Sequence, residues 1–206
     1  MKNRAKYILV VLLGCICWHS VSAQEMRPFE PFSAAKNSSI TRFDGLDVDH
    51  CYTLDNTTSV GIIHRPLWID MFFGVFKNSR KDTVAAVFDT LNTTEYPIFL
   101  HFYKTNRPAD GMIILWESRY IYDEEWRAYW YKNGVVHRLG SFEIDYLCAK
   151  CRNVYYPVKA IQISTNGDRV VFKFTKDLVF RVSHRVEANK FMYIYEKREW
   201  KPIILD

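Results

Sequence analysis

The residues of this sequence best suited to contact another molecule are the aromatic side chains between Trp116 and Tyr131. Tyrosine and tryptophan combine a flat apolar surface with a polar tip, which suits stacking on sugar rings, heterocycles or a partner protein. Arg127, in the same segment, could add polar contacts. The predicted contact region consists of Trp116, Tyr122, Trp126, Arg127, Tyr129, Trp130 and Tyr131.

The same segment also fits a well-filled β core. Alternate residues of a strand share one face, so Trp126 and Trp130 would lie on one side of the sheet. Tyr129 and Tyr131 would lie on the other side, with their hydroxyl groups reaching water. The two hypotheses differ in whether the tryptophan rings are exposed to solvent.

Three cysteines remain once a signal peptide is removed: Cys51, Cys148 and Cys151. An odd number leaves at least one thiol without a partner in the monomer. In an oxidising compartment Cys148 and Cys151 could form a small-loop disulfide, or Cys51 could pair with either of them. The Cys148–Cys151 pair lies between predicted strands rather than at the start of a helix, which favours a structural disulfide over a redox site. A zinc site would need a fourth ligand such as His50, and a second closely spaced ligand pair is missing from the sequence.

An acidic cluster precedes Cys51 and consists of Asp44, Asp47, Asp49 and His50. Its oxygen atoms could bind a hard cation. The spacing is not that of the twelve-residue calcium loop, because no glutamate stands at the twelfth position. A solvated turn or edge strand is favoured, and we expect neither a metal ion nor a cofactor.

Local motifs of hydrolytic enzymes are missing from the sequence. It contains neither Gly-x-Ser-x-Gly nor His-Glu-x-x-His, and no glycine-rich loop for a phosphate group. His64, His101, His137 and His184 lie in apolar or mixed runs, where structural histidines are more common than catalytic ones. An active site would need carboxylates and histidines that only the fold brings together. The acidic triplet at 123–125 could supply carboxylates. That triplet is better interpreted as a hairpin turn.

The first 23 residues have the pattern of a signal peptide. A basic start is followed by an apolar stretch from Tyr7 to Trp18, and small residues from Val21 to Ala23 precede a cleavage site. The apolar stretch is shorter than the roughly 20 residues that span a bilayer, and no later run reaches that length. We expect export to the periplasm, the outer-membrane surface or the extracellular space, with no transmembrane segment after the signal is removed.

A lipid anchor is a second interpretation of this segment. Leu12-Leu13-Gly14-Cys15 resembles the cleavage box of a bacterial lipoprotein, which would make Cys15 the lipidated residue. The residues that follow Cys15 are still apolar, whereas a lipoprotein continues into a polar tether. Plain cleavage after Ala23 is therefore favoured.

The charge of the chain excludes nucleic acid as a partner. The formal net charge is +5, and removal of the basic start leaves the two signs nearly balanced. Nucleic-acid binding needs a concentrated patch of lysine and arginine. The densest basic stretch, Lys197-Arg198 with Lys201, is interrupted by Glu196 and Glu199.

Turn signals predict a mainly β fold. Asn-Gly or Asp-Gly pairs begin at Asp44, Asp110, Asn133 and Asn166, and such pairs favour tight hairpin turns with positive φ. Hairpins are predicted around Asn133 and Asn166. Their strands run over 126–132, 135–144, 158–165 and 169–175, and further strands over 97–104, 112–122, 178–186, 191–197 and 201–205.

Two apolar runs between Leu67 and Leu91 are too short for periodicity to assign. We interpret the first, at 68–73, as a strand. The second, at 84–88, could be a short helix.

These patterns predict a single antiparallel β-sandwich or barrel-like domain at 46–206, an extended or flexible arm at 24–45, and a signal peptide at 1–23. The favoured function is an exported, non-enzymatic binding or interaction module that uses an aromatic-rich β surface for a glycan or an envelope protein. Two alternatives stay open. One is an exported hydrolase or lyase with spatially assembled carboxylate and histidine groups, and the other is a structural component of the envelope.

Overall fold

The computed structural model describes residues 25–64, 70–78, 83–92, 98–119, 123–145, 160–175, 178–180, 183–186 and 190–205. Its strands are β1 (Arg27–Phe32), β2 (Ala35–Lys36), β3 (Arg42–Phe43), β4 (Leu46–Thr53), β5 (Thr58–His64), β6 (Asp70–Asn78), β7 (Thr83–Asn92), β8 (Ile98–Lys104), β9 (Met112–Arg119), β10 (Asp123–Lys132), β11 (Val135–Asp145), β12 (Ile161–Thr165), β13 (Val170–Phe174), β14 (Leu178–Phe180), β15 (Ser183–Val186), β16 (Phe191–Glu196) and β17 (Glu199–Ile204). A 3-10 turn covers Pro108–Asp110. The predicted signal peptide and Cys15 lie outside the described residues.

The larger of two sheets is antiparallel and nearly closes into a barrel. Its strand order is β15-β14-β11-β10-β9-β8-β1-β12-β13-β16-β17. The sheet curls until Trp200 of β17 lies on Gly140 of β11, where any Cβ atom would collide with the indole ring. Glycine is needed at position 140 because the ring occupies the space of a side chain. The predicted mainly β fold with a barrel-like sheet is confirmed.

An aromatic and aliphatic core fills the inside of this curled sheet. Trp126 of β10 packs parallel to Phe142 of β11, with ring centroids 6.1 Å apart. The other strands contribute Phe29, Tyr103, Ile113, Leu115, Ala128, Trp130, Leu139, Ile161, Ile163, Val170, Phe172, Phe174 and Phe191.

The smaller sheet covers the outer face of β8, β9 and β10. Its order is β2-β4-β5-β6-β7, with β3 paired to β4. Phe73 of β6 contacts Trp116 of β9 and Tyr129 of β10, with ring centroids 5.7 and 4.4 Å away. β9 and β10 are therefore buried on both faces, by the barrel core on one side and by the smaller sheet on the other.

Both predicted hairpins are present. Asn133 and Gly134, with φ of 53° and 75°, form the turn between β10 and β11. The turn that contains Asn166 joins β12 to β13. The short-helix alternative at 84–88 is wrong, because this run belongs to β7, which pairs along β6. The acidic triplet at 123–125 begins β10 and is not a turn.

The segment predicted as an N-terminal arm contributes β1, β2 and β3 to the sheets. β1 joins two parts of the larger sheet, because Arg27 to Phe29 pair with β12 whereas Glu30 to Phe32 pair with β8. Proline has no N–H group to donate to a neighbouring strand. Pro28 and Pro31 therefore limit the backbone pairing of β1, which has one neighbour at each end.

A buried ion pair fixes β1 to the turn before β9. Nε and Nη2 of Arg27 donate hydrogen bonds to the two carboxylate oxygens of Asp110, over 2.8 and 2.6 Å. Thr105 donates a further bond to Asp110 over 2.8 Å, and the Trp130 indole N–H donates to the Asp110 carbonyl over 2.8 Å. The hydrogen bond from Arg27 is the main cause that holds the pKa of Asp110 below its ordinary value.

We expect Asp110→Asn to lower the free energy of unfolding at pH 7 by about 2 to 3 kcal/mol, because a buried charged acceptor loses its strongest hydrogen bonds. Since the pKa of Asp110 is lower in the folded state, its stabilisation is complete above the unfolded-state pKa and is lost as the pH falls through the folded-state pKa. The difference between wild type and variant should therefore shrink below about pH 4. Urea unfolding of the wild type and of Asp110→Asn, from pH 7 to below pH 4, measures this difference in the free energy of unfolding.

Asp168→Asn is the matched control. Asp168 also accepts from a cation, Lys132, over 3.1 Å, but its side chain is 99% exposed. Exposed ion pairs contribute little to stability, so this variant should unfold like the wild type. Equal stability losses in the two variants would contradict the assignment of Asp110.

Candidate functional site

The structure buries the predicted aromatic contact region. Trp116, Trp126 and Tyr129 have no exposed surface, and Trp130 and Tyr131 are only 4% and 7% exposed. The predicted alternation of faces is correct, but the face expected to meet solvent is covered by the smaller sheet. These five residues are core residues, and the hypothesis of an exposed aromatic surface is corrected accordingly.

Arg127 and Tyr131 of this region are bound within the protein, whereas the buried Trp116 indole N–H has no partner among the described residues. Arg127 donates from Nε to Glu125 over 2.7 Å. The Tyr131 hydroxyl donates to the Asp55 carboxylate and lies 3.2 Å from the Thr58 hydroxyl. Tyr122, the remaining member of the predicted region, lies outside the described residues.

Cys51 is a buried free thiol and forms no disulfide. Burial raises its pKa to about 11, so it stays protonated at neutral pH and is a poor nucleophile. The other two disulfide candidates, Cys148 and Cys151, lie outside the described residues.

The acidic cluster of β4 forms ion pairs at the surface. Asp47 lies 3.4 Å from Arg42, and Asp49 lies 3.2 Å from His64. In the described ranges no group of three or more His, Cys, Asp or Glu residues is placed to hold a metal ion. Nor does this part of the chain form a helix long and apolar enough to cross a membrane.

A groove opens where β1 separates from β12, and we call it the β1–β12 groove. Pairing between the two strands ends at Phe29 and Ile163, and the groove beside this point has a volume of about 790 Å³. Its apolar lining includes Met26, Phe29 and Met192, and its charged lining is Glu30, Arg169 and Lys173.

Two buried hydrogen-bonding atoms, each on a residue that lines this groove, have no partner among the described residues. They are the Tyr103 hydroxyl and Nε of Arg169. Tyr103 is 2% exposed, and its burial, with the nearby Glu117 charge, raises its pKa far above the ordinary value. The phenol is therefore protonated and can donate. A buried donor without a partner costs about 1 to 3 kcal/mol, so an acceptor supplied by a ligand would bind favourably.

A second groove lies on the other side of β1, and we call it the β8-edge groove. β1 pairs with β8 only at Phe102 to Lys104, so β1 leaves the first half of β8 uncovered. This groove has a volume of about 370 Å³, and Tyr52, His101 and Tyr103 are among its lining residues. Pro31 and Tyr103 line both grooves.

His101 and Glu117 form an ion-pair geometry next to these grooves. Nε2 of His101 lies 2.6 Å from the Glu117 carboxylate, which is completely buried on β9. The imidazole stacks on Trp126 with centroids 5.5 Å apart, and the His101 side chain is 24% exposed. A carboxylate at Nε2 directs the ring proton to that nitrogen and leaves Nδ1 as an acceptor.

Comparison of the chain with models of protein families, with curated proteins and with solved structures finds no match.

Sequence reasoning named His101 only as a structural histidine and did not single out Tyr103, Glu117 or Arg169. No local motif joins these residues. Glu117 meets His101 because β8 and β9 pair in the register that places His101 opposite Leu115. The contact between His101 and Glu117 could have been predicted only from the register of β8 and β9.

We expect Trp126→Ala to lower the free energy of unfolding by about 3 to 5 kcal/mol, as for other buried aromatic residues. Val135→Ala, at the start of β11 in the same hairpin, is the control because Val135 is 49% exposed. Its effect should stay within about 0.5 kcal/mol. Urea unfolding compares the two variants. A Trp126→Ala variant as stable as wild type would contradict the burial of Trp126 and favour the hypothesis of an exposed aromatic surface.

Proposed function

We propose that the protein is an exported binding module whose ligand lies in the β1–β12 groove. The supporting observation is that two buried donors without a partner in the described structure, the Tyr103 hydroxyl and Arg169 Nε, belong to residues that line this one groove. Buried polar groups are normally satisfied, so such donors favour a ligand rich in acceptor atoms.

The lining favours a carbohydrate as this ligand. The volume of about 790 Å³ falls within the range of small-molecule sites. Lys173 adds a positive charge, Glu30 can accept from ligand hydroxyl groups, and apolar side chains such as Met26 offer surface to the carbon faces of a sugar. An apolar ligand would leave Tyr103 and Arg169 unsatisfied.

The proposed location rests on the sequence. The basic, apolar and small-residue regions at 1–23 favour cleavage and export to the periplasm, the outer-membrane surface or the extracellular space. A glycan of the envelope or of the surroundings is then the accessible ligand.

Calorimetry of the purified protein against neutral and uronic-acid-containing oligosaccharides tests the proposal. We expect one class to bind and Tyr103→Phe to weaken its binding about tenfold, which corresponds to about 1.4 kcal/mol for one hydrogen bond. Without ligand, Tyr103→Phe should not destabilise the protein, because the hydroxyl it removes has no partner among the described residues. Arg169→Met should also weaken binding.

Tyr131→Phe is the matched control. Its hydroxyl is bound to Asp55 and Thr58, so this variant should lose stability but keep the glycan affinity. A glycan that binds Tyr103→Phe and Arg169→Met as tightly as wild type does not occupy the groove. Binding of an envelope protein with no glycan affinity would replace the ligand class proposed here.

A further inference from the structure

We propose that a groove between three hairpin turns binds a sulfate or phosphate group, and we call it the three-turn groove. It has a volume of about 420 Å³. Its lining comes from the β10–β11 turn with its flanking residues, from Asp168 in the β12–β13 turn, and from Lys197 and Arg198 in the β16–β17 turn. It shares no lining residue with the β1–β12 groove, so this site is separate from that of the proposed function.

The β16–β17 turn has an unusual sequence for its shape. Glu196 pairs with Glu199 across the hairpin. The loop between them is Lys197 and Arg198, with φ of 53° and 66°. Successive positive φ angles are those of a type I′ turn, which favours Asn-Gly because most side chains crowd the backbone in this conformation. The same chain uses the Asn-Gly pair at 133–134 for the other turn of this kind.

The strain of this turn is not explained by contacts that hold the fold together. Both basic residues of the loop are exposed, and the Arg198 guanidinium has no hydrogen bond or ion pair to a described residue. The Lys197 charge helps to lower the pKa of Glu199, but the main cause of that shift is the hydrogen bond from Lys201. Strained backbone is concentrated at functional sites. The two basic side chains are therefore available to a ligand.

The charges of the lining favour a dianion. The basic lining residues are Lys132, Lys197 and Arg198, and the acidic one is Asp168. Asp168 binds Lys132 over 3.1 Å, so the excess positive charge lies on the β16–β17 turn. Arginine can donate two parallel hydrogen bonds to an oxyanion, and lysine adds a compact charge. Sulfate and phosphate groups carry up to about two negative charges at neutral pH and match this excess better than a carboxylate.

The arrangement of the flanking glutamates limits the site to a single anionic group. Glu196 and Glu199 lie at the base of the turn, and Glu199 is ion-paired with Lys201. The basic pair forms the tip of the hairpin between them. A nucleic-acid backbone would need a wider basic surface, so the exclusion of that partner is unchanged.

Recognition in this groove rests on charge rather than on aromatic stacking. Trp130 is only 4% exposed, and the Lys132 ammonium group lies over its ring, 4.4 Å from the centroid. Tyr195 packs edge-on against Trp130, with centroids 6.4 Å apart. His137 and Asn133 are exposed residues of the lining and can donate further hydrogen bonds to oxyanion oxygens.

An NMR titration of the purified nitrogen-15-labelled protein with sodium sulfate, at constant ionic strength, tests the inference. We expect saturable shifts confined to the amides of 132–137, 167–168 and 195–199. Sodium phosphate should bind at the same amides, and sodium acetate about fivefold more weakly because it carries one charge. Tighter binding of dextran sulfate than of inorganic sulfate, with no binding of dextran, would identify a sulfated polymer as the source. Equal affinity per sulfate group would identify the free ion.

Two variants of the turn separate its charge from its strain. Lys197→Asn combined with Arg198→Gly should weaken sulfate binding about tenfold through the loss of charged hydrogen bonds. The same double variant should raise Tm by about 2 to 4 °C, because Asn-Gly fits the positive φ angles. Arg198→Gln should weaken binding without raising Tm, since the strain remains. Asp168→Asn should strengthen binding about threefold, because it removes the acidic group of the lining.

Arg42→Gln combined with Lys77→Gln is the matched control. It removes two positive charges from exposed positions of the smaller sheet and should keep the wild-type sulfate affinity. Equal weakening in the two double variants would indicate attraction by net charge alone and would overturn the inference. Shifts that do not saturate, or that lie outside the three turns, would overturn it as well. None of these results bears on glycan binding in the β1–β12 groove, which Tyr103→Phe tests separately.

Discussion

The ion pair between Arg27 and Asp110 is the constraint on which the rest of the structure depends. β1 is the strand that joins β8 to β12, and it pairs with each over only three residues. So few backbone hydrogen bonds would by themselves hold this strand weakly. The bidentate contact from Arg27 to the buried Asp110 carboxylate adds to this weak backbone pairing, because it fixes both the position and the direction of β1.

The same contact links the sheet closure to the grooves. The Asp110 carboxylate accepts a hydrogen bond from the Thr105 hydroxyl, and the Asp110 backbone carbonyl accepts one from the Trp130 indole N–H. Asp110 therefore connects β1, the turn before β9 and the barrel core. Gly111 follows with φ of 79°, and its missing side chain lets the turn lie against the carbonyl of Tyr131. Once β1 is held there, its departure from each neighbour leaves a groove on either side. Tyr103 lines both grooves because it lies opposite Pro31 of β1.

Local features of the fold could be predicted from the sequence, and non-local ones could not. The turn at Asn133 specifies its hairpin because positive φ at two successive residues is a local property. The alternation along β10 was also correct. Its burial on both faces was missed because the covering strand, β6, lies far away in the sequence. β1 was missed as a strand for a related reason: its two prolines resemble a loop, and its partners are distant.

The candidate site shows the same limit. Tyr103, His101 and Glu117 belong to two strands whose relation is set by register, and Arg169 comes from a separate part of the sheet. Composition gives no sign of such a group, because each residue by itself fits an ordinary strand.

Hydrogen exchange of Asp110→Asn, followed residue by residue, is the most direct test of the central claim that this ion pair holds β1 in the sheet. We expect the amides of β1, of 102–104 and of 163–165 to exchange at least tenfold faster than in wild type, since about 1.4 kcal/mol of lost stability is a factor of ten. The amides of β5 and β6 should be accelerated less, and only to the extent that they exchange through global unfolding. Equal acceleration throughout the protein, or unchanged exchange in β1, would contradict the account.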